Sequence, residues 1–123
     1  MPERAERRRK RSPNITQALR NQLQRSADLA GIHALALADR DGLVLASSKS
    51  DDRCEEVAAV ARFLGGSGTY EGPLPSAHGA FHASVHRFGR GATSLYLCAV
   101  GGRPAVRGVE IHRAIRGIER ILA

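Results

Sequence analysis

Residues 31–48 read GIHALALADRDGLVLASS, and two short apolar runs flank the tetrapeptide Asp39-Arg40-Asp41-Gly42. An Asp-Gly pair between two strand-like runs is a strong signal for a β-hairpin, because glycine adopts the positive φ that a tight turn needs. Ile32 to Ala38 and Leu43 to Ser47 carry no charge on either face, so we expect strands that are covered on both sides. The alanines of the first strand share one face, which would let a helix pack closely.

Helices are predicted on both sides of this hairpin. Asn14 can cap a first helix, because Gln17 follows three residues later, and Gly31 is a plausible stop. Asp52 and Glu55 form a second capping box, an apolar stripe follows it, and the second helix is predicted to end at Gly65-Gly66. These apolar stripes comprise Ile15, Leu19, Leu23, Ala27 and Ala30 in the first helix and Cys54, Val57, Val60, Ala61 and Leu64 in the second.

The second half of the chain predicts further strands and a last helix. Residues 65–79 form a loop rich in glycine and proline, with room for a short edge strand near Thr69-Tyr70. Phe81 to Phe88 alternates as a half-exposed strand, and Ser94 to Val100 predicts a buried one. The last helix has a stripe of Ile111, Ile115, Ile118 and Leu122, with four arginines outside it: Arg107, Arg113, Arg116 and Arg120.

This order of elements, α-β-β-α-(β)-β-β-α, defines the predicted fold class. Because hairpins rather than βαβ crossovers connect the strands, we expect an α/β (α+β) fold with one antiparallel sheet. The sheet would have four to five strands, with helices on both of its faces.

Length and charge divide the chain into a tail and one domain. A chain of 123 residues supports one domain. Its net charge of +7 is unevenly spread, since residues 1–12 hold six basic and two acidic side chains, which leaves a net of +3 for the rest. We therefore predict a disordered basic tail over residues 1–12 and a folded domain over residues 13–123.

The basic run of the tail has three interpretations. It consists of Arg7, Arg8, Arg9, Lys10 and Arg11. It can be a solubilising segment, a contact for nucleic acid or an acidic protein, or an attachment to an anionic membrane, where each basic residue contributes on the order of 1 kcal/mol. No aromatic residues are interleaved with the run and no RNA-binding signature is present, which weakens the nucleic-acid interpretation.

The cysteines and the apolar runs favour a reducing, cytoplasmic location. Cys54 and Cys98 lack the spacing of a metal site, and small buried hydrophobes are the more common role for such residues; a disulfide or a reactive thiol is the alternative. No apolar stretch follows the basic N-terminus as in a secretory signal, and no apolar run approaches the length of a membrane span.

Three patterns in the sequence resemble reactive motifs, and none predicts a catalytic, cofactor or metal site. The glycine-rich residues 65–69 lack the lysine of a phosphate-binding loop. His78, His82 and His86 are four residues apart on a predicted strand, where about 13 Å would separate neighbours, too far for one zinc ion. Asp39 and Asp41 lie in a turn, where aspartate is favoured for bonding its own backbone.

Residues 36–47, ALADRDGLVLAS, resemble the central hairpin of roadblock/dynein light chain domains. Residues 94–100, SLYLCAV, are similar to the strand that precedes the last helix of that family, which is related to longin and profilin-like domains. The resemblance would span about residues 14–123. It implies three strands between the second and third helices, whereas here the first of them is poorly defined in the sequence.

The resemblance implies a regulatory protein rather than an enzyme. Family members are typically non-enzymatic, form homo- or heterodimers by joining two sheets edge to edge, and bind small Ras-like GTPases as regulators or scaffolds, in bacteria often those of gliding motility. An exposed sheet edge is otherwise an aggregation liability. The candidate region for that edge is residues 69–87, with Tyr70, Phe81, Ala83 and Val85 as the candidate contact residues.

Three functions remain open at this stage. The first is a bacterial dimeric signalling or scaffolding module that binds a small Ras-like GTPase, without a cofactor. The second is a nucleic-acid or anionic-membrane adaptor that acts through the arginine-rich tail. The third is a small-molecule sensor, which the scarcity of aromatic residues disfavours.

Overall fold

The structure, a computed structural model, describes residues 2–66, 68–76, 79–89, 93–102 and 104–123, although not the side chains of residues 2–13 and 104–106. Within these ranges the chain forms three helices and five strands. In chain order they are α1 (Pro2–Ala30), β1 (Ala34–Asp39), β2 (Val44–Ser47), α2 (Asp52–Leu64), β3 (Thr69–Leu74), β4 (Phe81–Phe88), β5 (Leu95–Val100) and α3 (Pro104–Leu122).

The β1–β2 hairpin is confirmed, and the side chain of Asp39 builds its turn. One carboxylate oxygen, Oδ1, accepts the backbone N–H of Asp41 at 2.9 Å and that of Leu43 at 3.0 Å. Gly42 has φ +88°, and a Cβ there would lie 3.2 Å from the Cα of Ala59 on α2. The turn thus needs glycine both for its backbone conformation and for the close approach of α2.

All strand pairs in the described sheet are antiparallel, in the order β2-β1-β5-β4-β3. The predicted order of helices and strands is confirmed, and the strand near Thr69-Tyr70 is present as the six-residue β3. The sheet therefore has five strands, and β3 and β2 are its two edges.

Helices cover both faces of the sheet, as predicted. α1 and α3 pack on one face, where Leu35 and Leu37 of β1 meet Leu97 of β5. α2 packs on the other, where Val57, Ala58 and Ala61 meet the alanine face of β1. That alanine face comprises Ala34, Ala36 and Ala38, each fully buried, so the predicted close approach of a helix is confirmed.

Both predicted helix starts differ from the structure. α1 begins at Pro2, so Asn14 lies inside it, and the backbone of residues 2–12 is helical where the sequence predicted disorder. Arginine, lysine, glutamate and alanine are good helix formers, which favours the longer helix, although Pro13 lies inside it, where proline is disfavoured because it has no N–H to donate. The division into a tail of residues 1–12 and a domain of residues 13–123 stays a prediction.

The N-cap of α2 lies one residue earlier than predicted. Asp51 rather than Asp52 is its N-cap, because an Asp51 carboxylate oxygen accepts the backbone N–H of Arg53 at 2.9 Å. Asp52 and Glu55 then lie in the first turn, where negative charge is favourable near the positive end of the helix dipole. In the part of the chain that the structure describes, no helix combines the length and apolarity needed to cross a membrane.

Candidate interaction edge

The outer side of β3 is a free edge of the described sheet. β3 pairs with β4 from Thr69, opposite His86, to Leu74, opposite Phe81, and no described strand lies on its other side. The other edge, β2, has four residues against the six of β3. Unpaired backbone groups along a strand are a template for adding another strand, so β3 is the longer such template in this sheet.

The hydrogen-bond alternation of the β3–β4 pair shows which backbone groups face outward. The N–H of Arg87 donates to the carbonyl of Gly68 at 2.8 Å, so these two residues lie at a bonded position of the pair, although the N–H of Gly68 donates to the carbonyl of Gly65. In an antiparallel pair, bonded and non-bonded positions alternate. Tyr70, Gly72 and Leu74 therefore bond β4, whereas the backbone groups of Thr69, Glu71 and Pro73 point away from the sheet.

Pro73 lies at a position that tolerates proline, since it has no N–H to donate and its nitrogen faces the open edge. Its carbonyl accepts a hydrogen bond from the hydroxyl of Tyr70 at 2.8 Å. Thr69 and Glu71 are consequently the two β3 residues that present both an N–H and an uncapped carbonyl to the outside.

The side chain of Glu71 ties this edge to α3. Its carboxylate accepts a hydrogen bond from Arg107 Nη2, and the same nitrogen lies 3.2 Å from Nδ1 of His82 on β4. Nη1 of Arg107 donates to the carbonyl of Gly101 at 2.8 Å. The prediction that Arg107 lies outside the buried face of the last helix is wrong, because it is only 1% exposed. A charged residue is expected outside the apolar stripe of a helix, but the groups that accept hydrogen bonds from Arg107 lie far from it in sequence, on β3 and just after β5.

An exposed aromatic residue lies at the end of α2. Phe63 is 79% exposed, and its neighbour Leu64 packs against the same cluster as Tyr70 of β3. A single exposed apolar side chain is common on protein surfaces, and Phe63 is a candidate contact residue because the chain leads directly from the end of α2 to the free edge strand β3. Phe63 is not among the residues predicted from the sequence, although its place outside the apolar stripe of the second helix was a usable signal.

The predicted edge residues lie on two different strands. Tyr70 is on β3, whereas Phe81, Ala83 and Val85 are on β4, which pairs with β3 on one side and β5 on the other. Ala83 and Val85 are fully buried against the α2 side of the sheet. Phe81, Ala83 and Val85 therefore do not lie at an edge of the sheet, contrary to the prediction from the sequence, because the six-residue β3 pairs along β4 and takes the edge position.

The predicted contact residues of the tail, Arg7, Arg8, Arg9, Lys10 and Arg11, lie on α1, but their side chains are outside the described part. Their interaction with a partner stays a prediction.

The cysteines are small buried hydrophobes, as predicted. Cys54 and Cys98 are free thiols in the cluster beneath α2, and both are at most 2% exposed. Burial raises the pKa of each thiol to about 12. Because the thiolate is the reactive form, neither cysteine is suited to nucleophilic chemistry near neutral pH.

The other patterns that resemble reactive motifs do not assemble a reactive centre among the described residues. No group of three or more His, Cys, Asp or Glu side chains there could hold a metal ion. His82 and His86 lie on β4, and His78 is outside the described residues. Burial, assisted by the charge of His112, lowers the pKa of His86. Asp39 serves the turn, as predicted.

A polar network that the sequence analysis missed lies where α2 begins. His33 Nε2 donates to Asp51 at 2.9 Å, and Lys49 lies 3.4 Å from Nδ1 of the same ring. An ammonium can only donate, so Nδ1 is the acceptor and Nε2 carries the proton. A hydrogen bond from the Arg53 side chain is the main cause that lowers the pKa of Asp51 to about 2. Asp51 also lines a cavity of about 540 Å³ between α1, β2 and α2.

The order of helices and strands and the antiparallel sheet match the roadblock/longin-like fold, as the sequence resemblance predicted. Solved structures of MglB share this fold. Myxococcus xanthus MglB matches with a TM-score of 0.59 and 14% identity over 87% of this chain and 89% of that one. The gliding protein MglB from Thermus thermophilus matches with a TM-score of 0.62 and 17% identity over 87% and 90%.

A third structure, described as MglB with tetrameric arrangement, matches with a TM-score of 0.62 and 17% identity over 87% of this chain and 89% of that one. At these identities the similarity establishes the fold alone. No protein-family model matches the chain. No curated protein matches it by sequence.

Proposed function

We propose that this chain is a dimeric, non-enzymatic regulatory or scaffolding module that binds a small Ras-like GTPase. The observation that carries the proposal is the free edge of β3, where Thr69 and Glu71 turn both backbone groups outward. Pairing with a second β3 would satisfy these groups and remove an edge that favours aggregation. The exposed Phe63 adds apolar area at the end of α2, next to Leu64, which packs against the same cluster as Tyr70 of β3.

The proposal of a GTPase partner rests on the resemblance of the β1–β2 hairpin and of β5 to roadblock domains, together with the fold shared with MglB. One similar structure is of MglB in a tetrameric arrangement, which agrees with a fold that can self-associate. Both described cysteines are buried, which agrees with a role in binding rather than catalysis.

Self-association is tested by measuring the mass of the full-length chain in solution by light scattering. Phe63→Glu and Thr69→Pro are each expected to shift a dimer to a monomer. Thr69→Pro removes one outward N–H and leaves the bonds between β3 and β4 in place, since Thr69 faces away from β4. Leu43→Glu is the matched control for Phe63→Glu, because Leu43 is 64% exposed at the hairpin, away from β3. A wild-type monomer, or equal effects of all three variants, contradicts edge pairing.

GTPase binding is tested by calorimetry with the purified small Ras-like GTPases of the source organism, each loaded with GDP or a non-hydrolysable GTP analogue. We expect one of them to bind the wild-type chain and a full-length variant with glutamine at residues 7–11 equally. The chain alone should release no phosphate from GTP. If no GTPase binds, and nucleic acid or anionic vesicles bind only when the basic run is intact, the tail adaptor replaces this proposal.

A further inference from the structure

A basic groove runs between α1 and α3 on the solvent side of the helical layer. We call it the arginine groove, and its volume is about 390 Å³. Its lining includes Arg25 and Leu29 from α1 and four residues from α3: Glu110, Arg113, Arg116 and Arg120. It is on the opposite face of the sheet from α2, so it is a surface separate from Phe63.

Most of the positive charge in the groove has no acidic partner. Glu110 is buried and accepts a hydrogen bond from Arg113 at 2.9 Å. Arg25, Arg116 and Arg120 have no carboxylate of the described residues within ion-pair distance. These three guanidinium groups are exposed and lie on both walls of the groove.

The groove concentrates the net charge of residues 13–123. Residues 13–123 have a net charge of +3, and the four arginines and one glutamate of the groove give the same net value. Arg113, Arg116 and Arg120 also follow one another on one side of α3, where each like-charge neighbour costs the helix about 0.2–0.5 kcal/mol. Helix stability accounts for Arg113, which pairs with Glu110, and for Arg120, which lies in the last turn near the negative end of the helix dipole, but it gives no such reason for Arg116.

Close packing of the two helices forms the floor of the groove. Gly117 of α3 lies against Gln22 of α1, because a Cβ at that position would overlap the Gln22 side-chain amide. Leu29, which is 62% exposed, contributes an apolar contact to the lining. The lining is thus concave, with charged walls and an apolar patch.

We propose that the arginine groove binds an acidic peptide segment of a partner protein. Arg116 and Arg120 are one helical turn apart, about 6 Å along the axis, and alternate side chains of an extended peptide are spaced by about 6.6 Å. A segment with alternating carboxylates can therefore meet successive guanidinium groups, each of which bonds a carboxylate with two N–H groups. A narrow segment reaches both walls of a concave groove, which a flat membrane surface does not, so the peptide is favoured over a lipid headgroup.

This proposal does not depend on dimerisation or on a GTPase partner, because it rests on the charges of α1 and α3. The test uses the full-length chain and a short fluorescent peptide of alternating glutamate and serine, with fluorescence anisotropy as the readout. The double variant Arg116→Gln/Arg120→Gln should bind the peptide about tenfold more weakly or worse, because two bidentate, charge-assisted contacts are lost. Glutamine has nearly the helix propensity of arginine, so the fold should persist.

The matched control is Arg20→Gln/Arg40→Gln, which removes the same charge from exposed positions that do not line the groove. This control should bind like the wild type, and a peptide with glutamine in place of glutamate should not bind. Equal losses in both double variants would mean that binding follows net charge only, which overturns the proposal. Absence of peptide binding to the wild type overturns it too.

Two further measurements keep the result interpretable. Vesicles of phosphatidylcholine and phosphatidylserine test the membrane alternative. If the wild type binds these vesicles but not the peptide, and Arg116→Gln/Arg120→Gln does not bind the vesicles, a membrane site replaces the peptide site. Thermal unfolding checks the fold of Arg116→Gln/Arg120→Gln, which should melt close to the wild-type temperature, since the repulsion that is removed offsets the lost interaction of Arg120 with the helix dipole. If this variant unfolds instead, Arg25→Gln on α1 tests the opposite wall and should weaken peptide binding by itself.

Discussion

Arg107 of α3 is hydrogen-bonded to Glu71 of the edge strand β3, and the two side chains differ sharply in exposure. The Arg107 side chain is 1% exposed, whereas that of Glu71 is 44% exposed. A nearly buried guanidinium is thus neutralised by a carboxylate that still reaches water, and the pair joins the last helix to the edge.

Replacing the arginine should cost more stability than neutralising the glutamate. Arg107→Ala removes the donors to Glu71 and to the carbonyl of Gly101 and leaves a cavity, for which we expect a loss of about 3–5 kcal/mol. Glu71→Gln still accepts a hydrogen bond from Arg107, so about 1–2 kcal/mol is expected. Urea unfolding measures both. Glu119→Gln, an exposed change on α3, serves as the control, and an equal or larger cost for Glu71→Gln would contradict this account.

Two glycines should respond in opposite directions to replacement by alanine. Gly42→Ala forces a side chain into φ +88° and against the backbone of Ala59, so we expect it to destabilise the fold by about 1–3 kcal/mol. Gly108 lies inside α3, and a Cβ at this position would have no neighbouring atom within 4 Å, so Gly108→Ala should stabilise by about 0.5–1 kcal/mol. Thermal melts of the two variants compare them directly, and a shift of the same sign in both would refute this explanation.

The sequence predicted the fold well because its signals were local. The Asp39–Gly42 turn and the alanine face of β1 each follow from neighbouring residues, and the structure confirms both. The β3 edge was harder to predict, since Gly72 and Pro73 disfavour a strand by propensity. An edge position removes that conflict, because the nitrogen of Pro73 needs no partner there.

The candidate site was less predictable because its parts are distant in sequence. The burial of Arg107 depends on Glu71, 36 residues away, and on His82, 25 residues away. The arginine groove requires α1 and α3 to pack side by side, which no local pattern shows. Periodicity identified which residues of α3 avoid the apolar stripe, but it could not distinguish the buried Arg107 from the exposed Arg116.

The thiols should be unreactive until the protein opens. Burial raises the pKa of Cys54 and Cys98 to about 12, so almost no thiolate forms near pH 8, and the side chains are inaccessible as well. We expect a thiol-reactive dye to label the native protein much more slowly than the urea-unfolded protein, in which both cysteines should react rapidly. Ser50→Cys supplies an exposed thiol as a positive control for the native measurement. Fast labelling of both native cysteines would show that the cluster beneath α2 opens readily.

Asp51 should stabilise the fold as a carboxylate, with a defined dependence on pH. The Arg53 side chain holds the pKa of Asp51 at about 2 in the folded chain, below the ordinary value of 3.8 expected after unfolding. A lowered folded-state pKa adds stability that is complete above about pH 4 and is lost as the pH falls through 2. Asp51→Asn keeps an N-cap side chain but lacks this charge, so its melting temperature should be below that of the wild type at pH 6.

The difference in melting temperature between Asp51→Asn and the wild type should shrink as the pH falls from 4 to 2, because protonation removes the same charge from the wild type. Asp51→Ala also loses the hydrogen bond to the backbone N–H of Arg53, so a further cost of about 0.5–2 kcal/mol should persist at every pH. Asp41→Asn, at an exposed hairpin position, is the control for nonspecific charge effects. A gap between Asp51→Asn and the wild type that stays constant down to pH 2 would mean that the Asp51 charge does not stabilise the start of α2.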